Sequence, residues 1–180
     1  MSISSDYRAE QTKPADENTT PMINFNLSEE IENWSITNDS VMGGKSVGSI
    51  VRNHTFGEFS GTISRENNGG FSSVYRTIEP LKQPVDMIEL NLQGDGHTYQ
   101  VRIICHIDGY RLAYKHDFAT EGGRQEKLRL NFDNFQATFR GRILDNAPPI
   151  QVEHINEVGF LITKSKPGPF ALLINSLSFL

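Results

Sequence analysis

Three short clusters carry the side chains best suited to chemistry. The first runs from Trp34 to Asn38-Asp39-Ser40-Val41-Met42-Gly43-Gly44. The second is Asn67-Asn68-Gly69-Gly70-Phe71, and the third is Gly94-Asp95-Gly96 with Tyr99 following. Asp39 and Asp95 would form an acid–base pair if folding brought them close and pushed their pKa values apart. A separation beyond roughly 10 Å would remove that chemistry. The same amides and carboxylates would also serve a polar binding pocket at one edge of the fold, with Trp34 as its apolar wall. The plainer reading is turn chemistry, because Gly, Asn and Asp tolerate positive φ and Asx side chains cap their own backbone. Asp39 and Asp95 lack the regular oxygen-ligand spacing of a calcium loop, so no metal is expected. The candidate binding residues are therefore Trp34, Asn38, Asp39, Gly43, Gly44, Asn67, Asn68, Gly69, Gly70, Asp95 and Gly96.

Other motifs lead away from catalysis. Gly43-Gly44-Lys45-Ser46 matches the end of a phosphate-binding loop, but Asp39 stands where that loop needs a glycine. The following residues read as a strand rather than the helix whose N-terminus would hold a phosphate. A nucleophilic triad needs an activated Ser or Cys, a His base and an orienting acid. Cys105 falls on an apolar strand face where a thiolate is disfavoured. The histidines at 54, 97, 106, 116 and 154 are scattered. No catalytic residue and no cofactor is expected.

The elements that position these residues are strands. Apolar residues alternate at period two in Ile23/Phe25/Leu27, Phe59/Gly61/Ile63, Ile88/Leu90/Leu92, Leu128/Leu130/Phe132 and Phe170/Leu172/Ile174, with Leu177 and Phe179 beyond. These runs are short and bounded by Gly, Asn, Asp and Pro, the pattern of an all-β sandwich or barrel. Only Ser28–Asn33 reads as a helical turn.

One hairpin can be set residue by residue. Asp108-Gly109 suits a two-residue type I′ turn, which pairs Ile107 with Tyr110 and continues to Tyr99 opposite Phe118. One face then carries Tyr99, Val101, Ile103, Cys105, Tyr110, Leu112, Tyr114, His116 and Phe118 toward the core. The other carries Gln100, Arg102, Ile104 and His106 against Arg111, Ala113, Lys115 and Asp117. A one-residue slip would scramble both faces, so the pattern specifies the register. Arg102 opposite Lys115, with Arg111 nearby, makes a like-charge stripe that is mildly destabilising. An anionic or hydroxyl-rich partner would use it; carboxylates from neighbouring strands would simply neutralise it. The aromatic residues of the hairpin lie on its other face.

Composition sets the outer bounds. The chain has 180 residues, a net charge of −5 and 37% hydrophobic residues. That suits one domain with a short tail. Residues 1–21 are polar and read as a disordered tail, leaving 22–180 as a single β-sandwich domain, with Met22 as an alternative start. The mild acidity argues against a general nucleic-acid partner. No apolar run approaches the ~20 residues that span a bilayer. One cysteine excludes an internal disulfide. With no apolar leader and with acidic residues Asp6, Glu10, Asp16 and Glu17 in the tail, a cytoplasmic location is expected.

Over most of Ile23–Leu180 the sequence resembles the complex I intermediate-associated protein 30 family. The resemblance rests on six segments in order: Trp34–Ser46, Phe59–Val74, Gly94–Ile103, Asn131–Arg142, Val158–Ile162 and Gly168–Ile174. Gln125 stands where the family usually has Trp, and Asn131 where it has Pro. The resemblance implies a galactose-binding-like jelly roll with few or no helices. It also implies an assembly role, since eukaryotic members are mitochondrial chaperones for respiratory NADH:ubiquinone oxidoreductase; this chain is similar to the shorter bacterial type. The expectation is a non-enzymatic binding or assembly module with a protein partner. The alternative is a carbohydrate-binding module that meets a glycan on a polar sheet face or at edge loops.

Overall fold

A computed structural model describes residues 22–38, 44–66, 70–163 and 165–180. Its strands are β1 (Ile23–Asn24), β2 (Trp34–Asn38), β3 (Val47–Asn53), β4 (Phe56–Ile63), β5 (Phe71–Thr77), β6 (Met87–Gln93) and β7 (Thr98–Ile107), then β8 (Tyr110–Ala119), β9 (Gln125–Asn131), β10 (Gln136–Phe139), β11 (Arg142–Ile143), β12 (Ile155–Thr163) and β13 (Gly168–Phe179). They form two antiparallel sheets. One has the order β3-β4-β13-β6-β9, with β1 also on β13; the other has the order β11-β10-β8-β7-β12-β5-β2. Among the described residues the 3-10 turns with defined bounds are Ser28–Asn33, where the sequence predicts a helical turn, Phe132–Asn134 and Val152–His154. The all-β sandwich expected from alternation is the observed architecture.

The core lies between the sheets. Phe59, Leu90, Leu172 and Ile174 meet Tyr99, Val101, Ile103 and Phe160, all essentially inaccessible to water. The β7–β8 hairpin has the register derived above, from Ile107–Tyr110 to Thr98–Ala119. Asp108 and Gly109 have φ of 50° and 81°, the paired positive values of a type I′ turn. Tyr110 departs from the expected core face. It is 60% exposed, because the hairpin tip runs past the opposing sheet, and it packs edge-on to Phe139 instead. His116 is half-buried and edge-on to Phe135.

Two details explain breaks in the pattern. The expected strand at Ile23–Leu27 stops after Asn24, whose side chain accepts the Asn26 N–H in an Asx turn. Phe25 is still buried, but Leu27 is left exposed. Near the end of the chain, the apolar period slips between Ile174 and Leu177. A β-bulge lies there between Ile174 and Ser176, and the extra residue lets both apolar side chains face the core.

Candidate functional site

The described parts of the three loop clusters, Asn38 and Gly44, Gly70 and Phe71, and Gly94–Gly96, lie at one end of the sandwich. The loops after β2, β4, β6 and β12 leave from the same end, next to the starts of β3, β5, β7 and β13. Hydrogen bonds tie the described parts together. Ser46 Oγ donates to Ser64 O and accepts the Ser64 N–H, and the Arg65 guanidinium donates twice to Ser165 O. Asp39, Gly43, Asn67, Asn68 and Gly69 lie outside the described residues. Asn38 closes β2 opposite Ser72, Gly44 is buried and Gly70 has a φ of 135°.

Trp34 does not wall a loop pocket. It is buried between Phe25 and Phe160, and its Nε1 donates to Glu30 Oε1 at 3.1 Å. Glu30 is itself buried and holds the Arg76 guanidinium through both carboxylate oxygens. β2 alternates its side chains, so placing Trp34 inward leaves Ser35 and Thr37 outward.

Asp95 spans the two sheets. Its Oδ1 accepts the Tyr99 hydroxyl at 2.9 Å and the His97 N–H at 3.1 Å, and its Oδ2 accepts the Ala171 N–H of β13 at 2.7 Å. Burial alone would push this carboxyl up, but the hydrogen bonds from Ala171, His97 and Tyr99 outweigh it and hold the pKa below the ordinary value. Burial, with the Asp95 charge, drives the Tyr99 hydroxyl upward. The neighbouring glycines serve the local structure, Gly94 by close packing and Gly96 by its positive φ. A Cβ on Gly94 would lie 2.1 Å from the Thr120 side chain, and Gly96, at φ 96°, donates its N–H to Thr120 Oγ1. A carboxylate held by the Ala171 and His97 N–H groups and the Tyr99 hydroxyl, with the His97 Nδ1 2.9 Å from its Oδ2, is an anchor already in use, and a poor source of protons near neutral pH.

A large concave site lies elsewhere among the described residues, on the outer face of the seven-stranded sheet. It is a cleft of about 680 Å³ that takes Ser35 and Thr37 from β2, Ser73 and Tyr75 from β5, Leu161 from β12, and Arg102 from β7. Arg111, Lys115, Thr138 and Arg140 form its far side. The Arg111 guanidinium of β8 reaches the Tyr75 ring of β5, 5.0 Å from its centre, although β7 and β12 lie between. Arg111 Nε also donates to Glu157 Oε2 at 3.1 Å, and Lys115 Nζ lies 3.4 Å from Asp117 Oδ1. Neighbouring carboxylates thus neutralise part of the like-charge stripe. Arg102 differs: its Nε and Nη2 both donate to the uncharged Gln100 Oε1.

The Arg102, Arg111 and Lys115 side of this cleft follows from the hairpin pattern, but Tyr75, Glu157 and Arg140 do not, and Phe71 stands out in sequence only as part of a loop cluster. Those residues reach the cleft through sheet order, which joins strands far apart in the chain. Alternation within Phe71–Thr77 was the available signal: Phe71, Ser73 and Tyr75 share a face.

The profile of the complex I intermediate-associated protein 30 family matches residues 23–174. A mouse protein named complex I intermediate-associated protein 30, mitochondrial, is 25% identical over 173 residues, covering 84% of this chain and 53% of the mouse protein. The Drosophila melanogaster protein of the same name is 22% identical, covering 87% of this chain and 61% of its own length. An uncharacterized Schizosaccharomyces pombe protein is 27% identical, with 81% and 79% covered. This chain therefore spans between half and two-thirds of the two relatives that carry the family's name. Both of those are named as mitochondrial, which overturns the cytoplasmic expectation. A lone unpaired cysteine suits any reducing compartment, and tail composition did not discriminate among them. Among solved structures, a family 11 carbohydrate-binding module from Clostridium thermocellum, in complex with a β-1,3-1,4-mixed-linked tetrasaccharide, superposes with a TM-score of 0.62 at 15% identity, covering 82% of this chain and 88% of that one. The agarase AgWH50C superposes at 0.59 with 14% identity, covering 88% of this chain and 24% of that one. At such identities the likeness shows the fold, the galactose-binding-like β-sandwich of carbohydrate-binding modules. Among the described residues no helix is long and apolar enough to cross a membrane.

Proposed function

Since the chain belongs to the complex I intermediate-associated protein 30 family, we propose that it is a non-enzymatic binding module that holds a protein partner during assembly of a respiratory or other complex. The observation that carries this reading is the cleft on the seven-stranded sheet. It combines an aromatic ring, aliphatic floor and guanidinium groups on neighbouring strands of one hydrogen-bonded sheet. Arg and aromatic side chains in a concave, partly apolar site are the usual anchors of protein recognition. In this reading residues 22–180 act as one unit. The loop end beside Gly70 and Gly96, held from within by Gly44 and Asp95, is a second contact surface for the same partner, tested by Asp39→Ala plus Asn68→Ala.

A glycan is the second reading. It is favoured by the fold's likeness to carbohydrate-binding modules and by Tyr75 and Phe71 lining the cleft. Affinity purification of the tagged chain from its native cells, wild type against Tyr75→Ala plus Arg102→Ala with matched melting curves, tests the first. A defined protein captured by wild type and lost by the variant supports it. No protein partner, together with a strong glycan-array response, would replace it with the second.

A further inference from the structure

We propose that the cleft on the seven-stranded sheet takes an extended acidic segment of the partner, with carboxylates on Arg102 and Arg140 and aliphatic or aromatic side chains on Tyr75 and Leu161. This rests on the protein-binding reading above and names the chemistry of the segment bound.

Charge is the first argument. The chain as a whole is acidic at −5, yet the charged residues lining the cleft are four cations, Arg102, Arg111, Lys115 and Arg140, against one carboxylate, Glu157. Concentrating the minority sign in a concavity creates a local field suited to an anion. Two of the cations are already satisfied, Arg111 by Glu157 and Lys115 by Asp117. Among the described residues Arg102 and Arg140 have no carboxylate within ion-pair distance. Arg102 is half-buried against a neutral amide, and Arg140 rests over the Phe139 ring at 5.2 Å. The half-buried Arg102 guanidinium, without a counter-charge, is costly until an anion arrives, whereas Arg140 is exposed and adds its charge at the rim.

Backbone strain is the second argument. Arg140 occupies the first position of the tight β10–β11 turn, with φ of 50° ahead of Gly141 at 79°. That position favours Asn, Asp or Gly, because a Cβ is disfavoured there. Nothing in the turn requires arginine, so the strained residue points to the cleft that its side chain lines.

The apolar lining decides the class of anion. Leu161 and Ile143 flank the cationic groups. Aliphatic floor beside guanidinium groups suits a peptide that carries Leu or Phe among its acids, whereas an acidic polysaccharide has no aliphatic side chains to fill those positions.

The test titrates the full chain with a fluorescent peptide alternating Glu with Leu and Phe, its Gln-for-Glu analogue, and polygalacturonate. The acidic peptide should bind about tenfold tighter than the Gln analogue, and weaken as salt is raised. Arg102→Ala plus Arg140→Ala should remove the preference, while Lys127→Ala on the other sheet leaves it intact. Equal binding of the two peptides, an unaffected double variant, or preferential binding of polygalacturonate overturns the proposal. Running the same double variant in the affinity purification separates the two readings. A partner captured equally by wild type and variant leaves the assembly reading standing and sinks this one. No partner for wild type sinks both.

Discussion

Tyr75 lies across Gly159 of the neighbouring strand: a Cβ at position 159 would stand 2.4 Å from Tyr75 Cδ1 and 2.4 Å from the Val74 carbonyl oxygen. The absent side chain is what lets the ring lie over the sheet beneath Arg111. Because one of the two obstacles is backbone, the strand itself must move to admit a methyl group. Gly159→Ala should cost about 2 kcal/mol, the usual scale of overpacking, and should reduce partner capture beyond what the melting temperature accounts for. Unchanged stability and capture would show that the ring position does not matter.

The Glu30–Arg76 pair, with Trp34 on the same carboxylate, is buried at the edge of the core. Removing one partner strands a desolvated charge. Arg76→Ala is expected to destabilise the fold by about 3 kcal/mol. Glu30→Leu combined with Arg76→Met should be less damaging than Arg76→Ala alone, measured by chemical denaturation of all variants. Additive losses would mean that the charges are not coupled.

Asp95 gives stability a defined pH dependence. Its folded pKa lies below the ordinary value, so the ionised, hydrogen-bonded form favours the folded state at any pH above the unfolded pKa of about 3.9. That contribution fades as the pH falls through the lower folded pKa. Asp95→Asn should therefore be less stable than wild type at neutral pH, with the gap narrowing in acid. Denaturation midpoints at neutral and acid pH check this, and a gap that stays constant would contradict it.

Burial pushes the Cys105 thiol up to about 12. The thiolate is the reactive form, so a maleimide should leave Cys105 unmodified in the native protein at neutral pH and label it in denaturant. Rapid native labelling would place this strand nearer the surface than described.

Arg140→Asn should separate stability from binding. Asn accepts the left-handed turn position more readily than Arg, so the melting temperature should rise modestly, by about 1 kcal/mol of stability or less. Binding of the acidic peptide should fall. A stabilised variant with undiminished binding would assign Arg140 no part in recognition.

What the sequence revealed followed the range of the interactions. The β7–β8 hairpin was legible to single-residue register because its turn and its alternation are local and agree. The 3-10 turn at Ser28–Asn33 was legible for the same reason. The slip from Ile174 to Leu177 was visible as an odd spacing, and the bulge explains it. The cleft was only half legible. Arg102 and Lys115 face each other within one hairpin, whereas Tyr75 and Glu157 join them only because β12 inserts between β7 and β5. Trp34 drew attention by its type, yet its side chain serves the core, and the residues beside it in sequence serve the cleft.

The position of the last two strands has a consequence for how the molecule is made. β12 sits between β5 and β7, and β13 between β4 and β6. The seven-stranded sheet therefore has a gap in its interior until β12, which ends at Thr163, is added, and the other sheet until β13, which ends at Phe179, is added, and the earlier strands wait with unpaired edges and exposed apolar faces. Completing each sheet therefore means closing its longest loops, and until β12 and β13 dock, the open strand edges depend on whatever keeps them from finding one another.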